Sequence, residues 1–343
     1  RVEDSYSTSE QIVSGYMPLL LSRACYNLAS RTTTCRSRGS AVFSSASMEN
    51  DMQSKTMRGV FPILVTPFDD RDRVDIDSLQ NLVDYCIDKG VHGFGIAYAT
   101  EIPKLTEAER LQVAKTVVNH TAGRVPVVMT TGAPATRVAV EFSLQAQDCG
   151  VDAVMSLPPT GAAPEQSRSY FKAISDAVDI PIFFLEADDA LGGPLMRQIA
   201  EESQNLRYAK VESMPAPHKV GEAIEYGAEL ITVMGGASGT HLIEELRRGA
   251  QGTMPWPSLP RAFARVWDQW QAGDEQAAYT TWADEILPVI RIGGLIHKEI
   301  LHRQGVIATP RFREPTPAKP LDVTTQREFD AVCERLGISA SNS

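Results

Sequence analysis

The sequence predicts an α/β fold, a (β/α)8 TIM barrel with extra C-terminal helices. Three observations lead there. Eight short apolar runs each precede a helical pattern, at roughly even spacing. The runs are β-branched without polar alternation, as strands buried on both faces require. No Gly-x-Gly-x-x-Gly loop follows the first run, which disfavours the runner-up, a doubly wound open sheet.

The elements follow in order. VFPILVT (60–66) reads as the first strand. After a polar turn comes a helix from Ser78 to Lys89, stopped by Gly90. GFGIAYA (93–99) leads to a helix opened by a Thr106/Glu109 capping box. VPVVMTT (125–131) leads to a helix over Thr136–Cys149, and DAVMSLPP (152–159) to one near Glu165–Val178. IPIFFLEA (180–187), LRYAKVES (206–213) and LITVMGG (230–236) precede helices near Gly193–Ser203, His218–Tyr226 and Thr240–Arg248. GTMP (252–255) is the short eighth strand. Beyond Pro255 the pattern is helical only, over Leu259–Ala272, Glu275–Arg291, Leu295–Gln304 and Thr325–Leu336, with a Pro-rich connector at 308–320.

The chain therefore divides into residues 1–56, the barrel at 57–255, and a helical region at 256–343 that completes the barrel domain. Residues 11–48 hold no Asp or Glu, and four Arg stand among many Ser and Thr. That composition resembles an organellar transit peptide, which would direct the protein to the mitochondrial matrix. A disordered tail, or sequence upstream of a start at Met48, Met52 or Met57, is the competing reading, with a cytoplasmic protein. The leading Arg1 reads as a fragment or a processed product.

The 343 residues carry a net charge of −10 and a pI near 5.2, with no basic stripe, which argues against a nucleic-acid partner. No apolar run reaches the length of a membrane span. The cysteines form no Cys-x-x-Cys pair and number five, against a disulfide framework or a zinc site. The histidines show no His-x-His or His-Glu-x-x-His spacing, and no Gly-x-Ser-x-Gly elbow is present. The expectation is chemistry with neither metal nor cofactor.

Active sites of such barrels lie at the C-terminal strand ends. Lys210 interrupts an apolar strand there. Burial favours the neutral amine, the form that attacks a ketone, and the resulting imine is an electron sink for C–C cleavage or loss of a β-hydroxyl. The bland alternative is a lysine that snorkels to the rim and pairs with Glu212 or Glu186. Glu212, two residues on, shares the strand face and is either a proton shuttle or a counter-ion. Glu186, Glu101 and Thr131 are weaker candidates, and Thr160 ends the fourth strand. The turn Gly235–Gly236 either lets the backbone approach a ligand or is a tight structural turn.

These pieces together resemble the dihydrodipicolinate synthase / N-acetylneuraminate lyase family from about Arg58 to Gly337. The resemblance rests on GVFPILVTPFDDRDRVDIDSL, LTEAER, AGRVPVVMTTGAPAT, GVDAVMSLPP and RYAKVE. It implies a Schiff base on Lys210, a small 2-keto acid substrate and a homotetramer. The family's Thr-Thr-Gly-Glu reads Tyr98-Ala99-Thr100-Glu101 here. Its tyrosine after strand 4 is Gly161, and its tyrosine at strand 5 falls at Leu185. AYATE, PPTGA, AKVE and RRGAQGTMP are closer to the 2-keto-3-deoxy sugar acid branch. The resemblance thus implies dehydration or retro-aldol cleavage of a 2-keto-3-deoxy sugar acid. Glu212 would replace the missing tyrosine as acid/base, and Thr100, Thr131 and the backbone near Gly235 would hold the substrate carboxylate. A pyruvate-dependent aldolase or synthase, or an inactive barrel kept for binding, are the rival readings.

Overall fold

Residues 59–64 close the barrel. The computed structural model describes residues 57–187, 192–227, 229–293, 296–316 and 320–338. The expected transit-type segment lies outside them. The chain divides into a unit over residues 1–54 and a second over 55–343.

The eight strands are β1 (Gly59–Val60), β2 (Phe94–Ile96), β3 (Val127–Thr130), β4 (Ala153–Ser156), β5 (Ile182–Glu186), β6 (Leu206–Val211), β7 (Thr232–Gly235) and β8 (Gly252–Thr253). Strands β2 to β8 pair in parallel with their sequence neighbours, and β1 pairs in parallel with β8. The expected first strand is longer than β1 because Pro62 has no N–H to give a ladder. The run still bridges both edges. Ile63 N–H donates to Pro255 C=O at 2.8 Å, while Leu64 N–H donates to Gly95 C=O and Gly95 N–H to Pro62 C=O, each at 2.9 Å.

Helices α1 (Ile76–Asp88), α2 (Glu107–Thr121), α3 (Thr136–Asp148), α4 (Pro164–Ala177), α5 (Gly193–Glu202), α6 (Ala216–Gly227) and α7 (Leu242–Arg247) follow β1 to β7 in turn. The expected capping box forms: Glu109 N–H donates to the Thr106 hydroxyl and Thr106 N–H to the Glu109 carboxylate. Strand alternation gives two cores. Phe61, Val128, Met155, Phe183, Leu185, Tyr208 and Met234 fill the barrel. Phe94, Val127, Val154, Phe184, Ala209 and Val211 face outward into the helix layer.

The C-terminal region comprises α8 (Pro260–Gln271), α9 (Glu275–Thr281), α10 (Leu287–Ile292), α11 (Ile296–Arg303) and α12 (Val323–Arg335). The sequence predicts one helix over Glu275–Arg291. The structure instead has a wide π turn at Trp282–Ile286 between α9 and α10. Pro288 accounts for it: its ring would clash with the carbonyl four residues back and it supplies no N–H, so the turn before it widens. No helix among the described residues is long and apolar enough to cross a membrane.

Candidate active site

The sixth strand places the two expected chemical groups together. In LRYAKV the inward positions are Tyr208 and Lys210, and Glu212 continues the same face. Lys210 stands in register between Leu185 of β5 and Met234 of β7, both interior residues. It is 5% exposed. Its Nζ lies 2.9 Å from Glu212 Oε1. The amine is therefore buried as expected, but it is paired rather than isolated.

The loop after β7 holds Glu212 from the other side. Ala237 N–H donates to Glu212 Oε1 at 3.2 Å. Ala237 and Ser238 take left-handed φ values of 43° and 60° to make that turn, an uncommon conformation for residues with a Cβ. A Cβ on Gly236 would lie 2.3 Å from Glu212 Cγ. A Cβ on Gly235 would lie 1.8 Å from Glu245 Oε2, on the strand's outer face. The two glycines thus make room for two acids of the protein itself. Burial, reinforced by Glu244 and Glu212, pushes the Glu245 carboxyl up to about 8. Among the described residues neither of its oxygens has a hydrogen-bond partner.

Lys210 and Glu212 open on a cavity of about 160 Å³ whose walls include Tyr98, Ala99, Met254 and Trp256. Trp256 is fixed on two sides. Its ring stacks on His297 with centroids 4.5 Å apart, and its Nε1–H donates to Ser238 Oγ at 3.1 Å. Burial pushes His297 down to about 3, so the imidazole beneath the indole is neutral.

The remaining expected site residues do not meet at this cavity. Thr100 is fully buried; its hydroxyl donates to Leu64 C=O at 2.6 Å and accepts from Ala97 N–H at 2.9 Å. It braces the turn and offers nothing to a carboxylate. Thr131 points outward, 2.8 Å from Ser143 Oγ of α3. Glu186 is also outward, because its neighbour Leu185 points in. Its carboxylate accepts from the Ser213 hydroxyl at 2.8 Å and the Ser213 N–H at 3.3 Å. Glu101 forms ion pairs with Lys298 at 2.6 Å and Lys104 at 3.1 Å. Thr160 borders a different cavity of about 480 Å³ with Pro134 and Glu165, which does not include Lys210. The space beside Gly235 and Gly236 that a Cβ would fill is taken by Glu245 and Glu212.

Residues not singled out from the sequence stand in several of these places. Met254 and Trp256 alternate inward from β8, a signal that was available once β8 was set in register. Glu245 looks like an ordinary charged helix residue until the Gly235 contact is seen. On β3 the alternation puts Thr130, not Thr131, on the inner face, and its buried hydroxyl has no partner among the described residues.

The chain matches the Dihydrodipicolinate synthetase family over residues 56–335. It is 34% identical to L-2-keto-3-deoxyarabonate dehydratase of Azospirillum brasilense, over 81% of this chain and 94% of that protein. It is 32% identical to 4-hydroxy-tetrahydrodipicolinate synthase of Pelobacter propionicus, over 64% of this chain and 78% of that one. Among solved structures, the chloride-inhibited dihydrodipicolinate synthase of Acinetobacter baumannii, complexed with pyruvate, superposes with a TM-score of 0.75. The two are 25% identical, over 82% of this chain and all of the other. Fold, the match across nearly the whole barrel domain and kinship over 94% of a relative's length lead to one assignment: the chain belongs to the dihydrodipicolinate synthetase family of lyases.

Proposed function

We propose that the protein dehydrates, or cleaves by retro-aldol reaction, a short 2-keto-3-deoxy sugar acid bound as an imine to Lys210. The observation that carries this reading is the buried Lys210–Glu212 pair, 2.9 Å apart at the floor of a cavity at the C-terminal strand ends. Kinship to the Azospirillum brasilense dehydratase, over 94% of its length, favours dehydration.

Glu212 takes the ammonium proton from Lys210, and the freed amine adds to the C2 carbonyl. The carbinolamine hydroxyl leaves as water with a proton returned from Glu212, which gives the protonated imine. Glu212, again ionised, removes a proton from C3, and the electron pair moves to the imine nitrogen. The enamine then expels the C4 hydroxyl, which departs as water with that proton. Breaking the C3–C4 bond instead would release an aldehyde and leave an enamine of pyruvate. Hydrolysis frees the product and restores Lys210. The substrate carboxylate falls to the turn at Tyr98 and Ala99, because the Thr100 and Thr131 hydroxyls are consumed elsewhere. A homotetramer, implied by the family resemblance, belongs to the same proposal.

Reductive trapping tests it. Incubation with pyruvate, 2-oxobutyrate or a 2-keto-3-deoxy acid, followed by borohydride, is expected to add mass to the peptide holding Lys210, and Lys210→Ala is expected to remove the adduct. No adduct with any of them would leave a barrel kept for binding. The Pelobacter propionicus synthase and its kin favour a second reading, a pyruvate-dependent aldolase or synthase. Product analysis separates dehydration from both the retro-aldol branch and this second reading, since dehydration releases no pyruvate.

A further inference from the structure

The turn that carries Tyr98 and Ala99 into the cavity ends on Glu101, and the C-terminal region holds that residue. Glu101 is 6% exposed and left-handed, with φ 59°. A non-glycine residue in that conformation persists only where its surroundings fix it. Its Oε1 accepts from Lys298 Nζ at 2.6 Å. Its Oε2 accepts from Lys104 Nζ and from Arg313 N–H, each at 3.1 Å. Lys298, on α11, is fully buried. It donates also to Arg311 C=O at 2.7 Å and lies between the rings of Phe68 and Phe312, at 4.7 and 4.3 Å. Arg313 clamps the same strap to the barrel through a forked contact with Glu109 at 2.7 and 2.8 Å.

A buried ion pair adds little net stability over an apolar pair of the same volume, because desolvation offsets the attraction. What it adds is position: one carboxylate is pinned from the barrel side by Lys104 and from the C-terminal side by Lys298 and the strap. We propose that Glu101 is a positioning residue for the active site. Lys298 and the Arg311–Arg313 strap hold it, and it in turn fixes the Ala97–Thr100 turn whose Tyr98 and Ala99 wall the cavity opposite Lys210. The helical region after the barrel is thereby part of the machinery that shapes substrate binding. The functional half of this inference rests on the reading that the cavity takes a 2-keto acid.

The experiment compares Lys298→Met, Glu101→Gln and the double variant, all in the full chain. Lys298→Met leaves a buried carboxylate with one cation fewer and risks misfolding. The double variant removes both charges and keeps the test open. Hydrogen–deuterium exchange of ligand-free protein reads the position of the turn directly. Faster exchange is expected at residues 97–101 in every variant, with the amides of β6 unchanged. Trapping with pyruvate and borohydride reads the consequence. The concentration for half-maximal trapping is expected to rise about tenfold, with the saturated rate changed much less, as misplacement of binding groups predicts. Unchanged exchange at 97–101 overturns the proposal. So does faster exchange with unchanged half-saturation, which would make Glu101 merely structural. Altered exchange in variants of a wild type that forms no adduct would leave the positioning intact and sink the imine reading instead.

Discussion

Lys210 on β6 and Glu212 just past its end share one inward face, with 2.9 Å between Nζ and Oε1, and Ala237 N–H holds the same carboxylate oxygen. A strand places residues two apart on one face, so this pairing is a direct consequence of the Lys-x-Glu spacing. In the proposed mechanism one carboxylate serves as proton acceptor for the amine and as base at C3. Glu212→Gln keeps the shape and cannot take a proton. The expected outcome is an adduct on Lys210 that forms more slowly, since water must then carry the proton to and from the amine, but still accumulates, while steady-state turnover of a 2-keto-3-deoxy acid falls roughly 100-fold or more, the size expected for a lost general base. Normal turnover in that variant would remove Glu212 from the mechanism.

The two glycines after Met234 serve different neighbours, and alanine should tell them apart. Gly236→Ala drives a methyl against Glu212 Cγ, 2.3 Å away, so the carboxylate must swing off Lys210. The side chain is 27% exposed and has room to move. A loss of turnover with little loss of melting temperature is expected. Gly235→Ala meets the carboxylate of fully buried Glu245 at 1.8 Å, where nothing can give cheaply. There the melting temperature should fall, since overpacking costs on the order of 1–3 kcal/mol of stability. Equal effects of the two changes on stability and turnover would contradict this division.

Most of the architecture was legible because it depends on period and punctuation. Apolar runs followed by 3.6-period patterns located the strand–helix units, and Lys210 stood out as a charge in an apolar strand. What the sequence left dark concerns direction. Their place near a strand end makes Thr131 and Glu186 candidates for the cavity, yet Thr130 and Leu185 hold the inward positions and turn their neighbours out. Counting alternate residues back from Lys210 through its register partner Leu185 would have shown this for Glu186. Contacts between distant segments had no local signal at all. Glu101 with Lys298, and Gly235 with Glu245, are joined only by the fold.

Glu245 gives the fold a pH dependence of definite sign. In the unfolded chain it ionises at its ordinary 4.5, whereas burial in the fold raises that to about 8. Between those values the unfolded state has released a proton that the folded state retains. Stability from the neutral acid is therefore complete below 4.5, and is lost as pH rises through the window up to about 8. Glu245→Gln removes the ionisation. Its melting temperature should match the wild type near the acid end and exceed it increasingly toward pH 8.5, as the unfolding free energies come to differ by several kcal/mol. Thermal denaturation across that range checks it, and a constant difference between the two proteins would show that Glu245 does not titrate there.

Thr100 distinguishes a brace from a binding group. Its hydroxyl joins Leu64 C=O to Ala97 N–H at 2.6 and 2.9 Å, inside a turn that is also tied by the Thr66 hydroxyl donating to Thr100 C=O. Thr100→Val keeps the volume and the branched shape, but strands one buried donor and one buried acceptor. Each orphaned group costs about 1–3 kcal/mol, so a loss of roughly 2–6 kcal/mol is expected, since neither can reach water. Urea unfolding measures it as a lower midpoint with an unchanged slope. If Thr100 instead held the substrate carboxylate, stability would stay near the wild-type value and half-saturation for keto acid trapping would rise alone. The hydroxyl cannot do both without breaking the turn that lines the cavity, so the two measurements on one variant assign its role.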